Sequence, residues 1–221
     1  MARIFVSHSG KDKDIVNFFS NAFASAQVKG IFEEFEKILV GNITSSQITQ
    51  DIENSNAIFV LLSHNVQNIP HTRDWVVWET GAAKNKDIWV FEPFEELGLI
   101  SVITPYLKHY VRFATNESHL GYIRKIVESY DDSNVLPTTL LTTGIGALLG
   151  KGPGAVLGGL GGLAISDNSK NRPMGVEINC FHCSSFYNIH LPQGVDVFRC
   201  PVCNSYMKFL PSPLKGKFCA R

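Results

Sequence analysis

Up to about residue 133 the chain alternates short, apolar, β-rich runs with stretches of helical periodicity. RIFVS reads as a first buried strand, and the segment after it repeats Ile15, Phe18, Phe19, Ala22, Phe23 and Ala26 at helical spacing. KGIFEEF is a second strand, ITSSQITQDIENS a short helix, and NAIFVLLS a strongly apolar third strand. RDWVVWETGAAKN then reads as a helix, DIWVFEPF as a fourth strand, HYVRF as a weaker fifth and SHLGYIRKIVESY as a closing helix. Strands alternating with helices, the central ones nearly all apolar, predict a parallel sheet covered on both faces.

One position breaks this pattern. At roughly 100° per residue, Trp78, Ala82, Trp75, Ala83 and Val76 form a continuous apolar arc, and Glu79 falls inside it. A helix carboxylate is usually relieved by a basic residue three or four positions away, but here those positions hold Trp75, Val76, Ala82 and Ala83. A carboxylate placed among tryptophans without a local cation is a candidate functional group.

Beyond this region the composition changes twice. Residues 134–173 carry glycines at every fourth position from Gly146 to Gly162, with Ala, Leu and Val between them. On a helix these would form a smooth ridge permitting close backbone approach. Residues 139–165 are about long enough to meet a bilayer, but Lys151 and Pro153 interrupt them. The segment is read either as a hairpin of two Gly-lined helices, self-associating or contacting a membrane, or as a linker. Residues 174–221 contain all five cysteines. Four of them, Cys180, Cys183, Cys200 and Cys203, match C-x2-C-x16-C-x2-C, the spacing of a closed four-thiolate zinc site. Such a site has no open position, so the zinc is expected to be structural and to supply folding energy to a short segment. The resemblance is to a zinc ribbon. A redox C-x-x-C would need a strand-to-helix setting that is not evident. His182 and His190 are possible substitute ligands, and Cys219 is left over.

Charge narrows the partners. Twenty basic and twenty acidic residues cancel, with a sequence pI near 7.0, which argues against a chain built chiefly to coat nucleic acid or an anionic membrane. Nucleic acid is therefore a disfavoured partner, although Phe181, Phe186, Tyr187, Phe198, Tyr206 and Phe209 could stack on bases. No apolar leader opens the chain, and a reducing compartment suits an odd cysteine count. A cytoplasmic location is expected, with membrane association through residues 139–165 as a further expectation.

In a flavodoxin-like five-stranded order, the ligand crevice lies beyond the carboxyl ends of the first and third strands. The first is followed by SHSGKDKD, a small polar turn opening a helix, and the third by SHNVQNIPHTRD, which feeds the helix bearing Glu79. Glu79 and the Ser7 turn are thus predicted to line one crevice.

Three stretches in this order resemble a known family. FVSHSGKDKDIV is similar to the first box of TIR (Toll/interleukin-1 receptor) domains. EFEKILVGNITSSQITQDIENSNAIFVLLS is similar to their BB loop, second helix and third strand, and DWVVWETGAA to the W-x-x-x-E helix of prokaryotic and plant members. The resemblance covers about residues 3 to 130. It implies an enzyme that cleaves the nicotinamide–ribose bond of NAD, giving ADP-ribose or a cyclised isomer, and a homo-oligomer built through contacts between TIR domains. On these residues it implies that Glu79 is catalytic, that Ser7, His8 and Ser9 contact the nucleotide, that Gly41 belongs to the BB loop, and that Phe35 or Trp75 lies beneath the nucleotide. Some members carry a basic residue early in the first box, where this chain has Ser7 and His8. Two other readings remain open: a TIR interaction module without turnover, and a zinc-ribbon nucleic-acid binder. The expected divisions are 1–133, 134–173 and 174–221.

Overall fold

The structure is a computed structural model, and it describes residues 1–33, 44–94, 106–131, 172–173, 175–190 and 197–208. Its elements, in chain order, are β1 (Ala2–Ser7), α1 (Lys13–Phe23), β2 (Val28–Glu33), α2 (Ser45–Glu53), β3 (Ala57–Leu61), α3 (His64–Asn68) and α4 (Pro70–Ala82). They continue with β4 (Asp87–Pro93), β5 (His109–Phe113), α5 (Glu117–Glu128), β6 (Val176–Asn179), β7 (Phe186–His190), β8 (Val197–Arg199) and β9 (Tyr206–Lys208). The five strands expected in the first region all form. Their order is β2-β1-β3-β4-β5 and every pairing among them is parallel. The chain reverses direction across the sheet between β1 and β3, the switch point of a flavodoxin-like fold.

The alternation of side chains along each strand divides the core into two layers. On one face Ile4, Val6, Phe59, Phe91, Val111 and Phe113 meet Phe19, Ala22 and Phe23 of α1 and Leu120, Ile123 and Val127 of α5. Aromatic edges lock this layer, with Phe19 centred 4.9 Å from Phe91 and 5.3 Å from Phe113. On the other face Phe5, Ile58, Val60, Ile88, Val90 and Tyr110 pack against α2, α3 and α4 through Ile48, Ile52, Val66, Val76 and Ala83. All of β3 is buried, which explains its unbroken apolar sequence.

The cysteine region does more than follow the sheet. β7 pairs in parallel with β5, with Tyr110 opposite Ile189, and β6 pairs antiparallel to β7, so the sheet reaches seven strands. Only β8 and β9 form a separate antiparallel pair. Arg172 fastens the returning chain: its guanidinium lies 4.4 Å from the centre of the Tyr130 ring, and its Nη1 is 2.8 Å from Asp87 Oδ2.

The expectations of a membrane contact and of membrane association are corrected. Among the described residues no helix is long and apolar enough to cross a membrane. The longest is α4, with 13 residues, against the roughly 20 that a span requires. The glycine repeat, residues 139–165 included, lies outside the described residues.

Candidate functional site

Helix α4 carries Glu79 inward by a different face from the one its apolar residues suggest. The buried positions are Thr72, Val76, Glu79, Thr80 and Ala83, whereas Ala82 is exposed and Trp78 is 39 % exposed. These five recur at intervals of three and four and so form one helical face. That face is half polar because it meets the end of β1, where Ser7 bonds Glu79, as well as the apolar layer. Trp75 lies at its border and stacks on Trp78, with centroids 4.6 Å apart and planes inclined by 29°.

The expected crevice neighbours meet. Ser7, the last residue of β1, is completely buried, and its hydroxyl donates to Glu79 Oε2. Trp75, one turn before Glu79, donates its indole N–H to Oε1 at 2.7 Å. The carboxylate, 2 % exposed, is therefore held by two neutral donors, one on each oxygen. Among the described residues no Lys, Arg or His forms an ion pair with it. Burial raises its pKa from 4.5 to about 8, with both hydrogen bonds acting in the opposite direction.

The turn after β1 is tied to the end of β3. Asp12 stands at the N-cap of α1 without capping it. Its carboxylate instead accepts from the Ser63 hydroxyl and from Asn65 Nδ2, the latter at 2.6 Å. Ser63 in turn caps α3 by accepting from the Val66 N–H. His8 and Ser9 are buried in the same turn, His8 with Nδ1 3.0 Å from the Val6 carbonyl. Of the other expected site residues, Phe35 and Gly41 lie outside the described residues.

Another buried carboxylate, not anticipated from the sequence, lies on the same face of the sheet as Glu79. Glu92 of β4 accepts from the Tyr110 hydroxyl, and Arg112 Nε approaches it at 3.6 Å. Arg112 also donates to the carbonyls of Pro93 and Phe94, both at 3.1 Å. A usable signal was present: DIWVFEP and HYVRF each carry one charge inside an apolar run, at penultimate positions that pair in register.

The four cysteines converge. Their sulfurs all lie within 4.8 Å of one another, with Cys180 Sγ 3.7 Å from Cys203 Sγ and Cys183 Sγ 3.8 Å from Cys200 Sγ. A tetrahedron with metal–sulfur bonds of about 2.3 Å has edges of about 3.8 Å, so these thiols can coordinate a metal. The two knuckles are built alike. Ser184 and Asn204, one residue past each C-x2-C, both take positive φ, 58° and 62°. In each, the N–H of the first cysteine bonds a serine carbonyl five residues on, Ser185 or Ser205, at 2.9 and 2.8 Å.

His190 is not a ligand. It stands at the seam with the α/β region, its Nε2 3.1 Å from His109 Nδ1 and its Nδ1 2.9 Å from the Tyr122 hydroxyl. Burial lowers His109 to about 4 and His190 to about 3, so both imidazoles are neutral near pH 7. Gly175 leaves room for this ring, since a Cβ there would lie 2.7 Å from His190 Nε2.

Fold and site define a class: a flavodoxin-like α/β sheet, extended by a hairpin and bearing a four-cysteine cluster able to hold a metal. Compared with models of known families, with curated proteins and with solved structures, the chain matches none of them.

Proposed function

We propose that this protein is a TIR-type NAD glycohydrolase or cyclase, with Glu79 as its catalytic carboxylate. The observation that carries this reading is the setting of Glu79: a buried carboxylate at the switch point between β1 and β3, held by two neutral donors and, among the described residues, paired with no cation. Nicotinamide leaves NAD as a neutral molecule, taking the electron pair of the C1′–N bond, so no general acid is needed. The positive charge passes to the ribose as an oxocarbenium ion. With its pKa raised to about 8, the Glu79 carboxyl of the free chain holds a proton near pH 7, which in this reading it gives up to solvent as the cationic nicotinamide ring binds; the anion so formed is already oriented and little screened, and stabilises the oxocarbenium ion far better than water does. Water attack at C1′, with loss of one proton to solvent, gives ADP-ribose. Attack by a nucleophile of the same nucleotide gives a cyclic isomer.

The nearby residues have supporting roles in this reading. His8 and Ser9 belong to the turn that would receive the nucleotide, and the hydrogen bonds from Ser63 and Asn65 to Asp12 keep that turn against the end of β3. The BB loop with Gly41, and Phe35 as the aromatic beneath the nucleotide, complete the reading from the sequence resemblance. Zinc on Cys180, Cys183, Cys200 and Cys203 would be structural, joining the two knuckles. Purified protein is then expected to hold about one zinc ion per chain.

The test is nicotinamide release from NAD by the full chain over a range of protein concentrations, because the resemblance implies self-assembly for turnover. Release by the parent and not by Glu79→Gln supports the reading. No release at any concentration, or equal release by the variant, overturns it and leaves an interaction module without turnover.

A further inference from the structure

We infer that Ser7 and Trp75 are positioning residues for Glu79: the Ser7 hydroxyl fixes one carboxylate oxygen and the Trp75 indole N–H fixes the other. The inference rests on the proposed reaction and assigns these two side chains a different task from the one the sequence resemblance implies.

Three features support it. The Ser7 hydroxyl is already committed, in a completely buried side chain, to Glu79 Oε2. Its backbone is anchored on both sides, since β1 lies between β2 and β3 with Ser7 opposite Glu33 and Val60. Trp75 is braced from the outside by Trp78, which restricts the indole from swinging off Oε1 at 2.7 Å. One donor thus comes from a central strand and the other from the turn of helix preceding Glu79. An ionised carboxylate accepts about four hydrogen bonds, so two donors fix its plane and leave lone pairs for ribose hydroxyls.

The identity of the donors matters as much as their number. A lysine or arginine in either place would neutralise the charge that the oxocarbenium ion needs, whereas a hydroxyl and an indole orient the anion without cancelling it. The titratable neighbours leave this arrangement undisturbed. His8 is directed at the Val6 carbonyl and Asp12 is engaged by Ser63 and Asn65. Among the described residues, Ser7 and Trp75 are the side chains that hydrogen-bond to Glu79 and oppose the effect of burial on its pKa.

The test compares parent, Ser7→Ala, Ser7→Thr and Trp75→Phe as full chains, in two measurements. The first is the pH profile of nicotinamide release together with KM for NAD. The second is the titration of the Glu79 side-chain carboxyl in the absence of nucleotide, followed by carbon NMR and assigned by its loss in Glu79→Gln. Loss of one donor to a charged acceptor is expected to move the Glu79 inflexion upward by about one pH unit in Ser7→Ala and in Trp75→Phe. Ser7→Thr, which keeps the hydroxyl, is expected to restore the parental inflexion, and KM is expected to change little in any of them. An unmoved inflexion in both Ser7→Ala and Trp75→Phe overturns the inference, as does a raised KM with an unmoved inflexion, which would return Ser7 to the nucleotide. The NMR arm separates the two proposals. If the parent releases no nicotinamide but the carboxyl titration shifts as expected, the reaction falls and the positioning stands. Trp75→Phe covers the case in which Ser7→Ala fails to fold, and the reverse also holds.

Discussion

Glu79 and Glu92 are both carboxylates on the same side of the sheet, 2 % and 3 % exposed, and their surroundings differ in one respect. Glu92 has Tyr110 as donor and Arg112 as cation, and Arg112 spends its other donors on the carbonyls of Pro93 and Phe94. Glu79 has Trp75 and Ser7 as donors and, among the described residues, no cation. Leaving a carboxylate in low dielectric without a counter-charge is expensive, and this fold supplies an arginine to the other carboxylate on that face. The comparison separates, among the described residues, a carboxylate neutralised from within the sheet from one held, like Asp12, by neutral donors alone.

The largest effect should fall on the paired site. Arg112→Ala removes one partner of a buried pair and is expected to lower stability by about 3–5 kcal/mol, measured as the urea unfolding midpoint. Replacing both members, with Glu92→Leu and Arg112→Met together, should recover most of that loss. Glu79→Ala, in contrast, should cost less than Arg112→Ala, because it leaves no buried charge behind and its loss comes from the Ser7 and Trp75 donors left without an acceptor. A loss at Glu79 as large as that at Arg112 would place both residues in the same structural role and erase the comparison.

The second effect concerns turnover. Glu79→Gln keeps the size and most of the hydrogen-bonding capacity of the side chain but removes the anion. Nicotinamide release is expected to fall by about 10²–10³-fold, the scale of losing one preorganised electrostatic group. A conservative change in the Glu92 pair that still folds, such as the double replacement above, should leave release within a few-fold of the parent.

How much of this could be read in advance differs between the two carboxylates. The strand and helix alternation was legible apart from the short α3, since β3 and β4 are nearly all apolar and α1 and α5 carry clean helical stripes. Glu79 was legible as an anomaly, but its setting was not. Ser7 lies 72 residues away, and a search for basic neighbours passes over Trp75, whose indole N–H is a donor inside an apolar side chain. The apolar arc misled for the same reason: Trp78 and Ala82 face outward because the inward face carries Glu79 to the Ser7 hydroxyl, which periodicity alone does not reveal. Glu92 and Arg112 went unnoticed because each strand was judged separately, although register pairs them. The docking of β7 on β5 was beyond sequence reasoning. It joins segments on either side of residues 132–171 and makes continuous with the sheet what composition had marked as a separate attachment.

The third effect is smaller per pH unit and opposite in sign for acids and imidazoles. Glu79 has its pKa raised from 4.5 to about 8, so between those values the folded chain holds a proton that the unfolded chain has lost. Its contribution to stability is complete below 4.5 and declines as pH rises through about 8, by up to about 1.4 kcal/mol per pH unit. His109 and His190, lowered from 6.5 to about 4 and about 3, act on the acid side. Their contribution is complete above 6.5 and is lost as pH falls toward 3. Subtracting the stability curve of Glu79→Gln from that of the parent cancels the histidines, and the difference should decline from pH 5 to pH 8. A flat difference would mean that Glu79 is ionised in the folded chain at an ordinary pKa, as a solvated or salt-bridged carboxylate would be.

The smallest effect separates how the two donors are supported. Tyr110, the donor to Glu92, is buried in the core and meets Tyr187 edge-on at 6.4 Å. Trp75, the donor to Glu79, is held instead by a stack with the exposed Trp78. Trp78→Ala removes one member of an aromatic pair at the surface, and the expected loss of stability is about 0.5–1.5 kcal/mol. The change does not reach Glu92, so any fall in nicotinamide release beyond the loss of folded protein has to pass through the Trp75 hydrogen bond. Trp78→Phe retains a ring to stack on Trp75 and should lose less on both measures. If Trp78→Ala instead leaves stability intact and raises KM for NAD, the exposed indole is a surface for the nucleotide and Trp75 stays in place without its support.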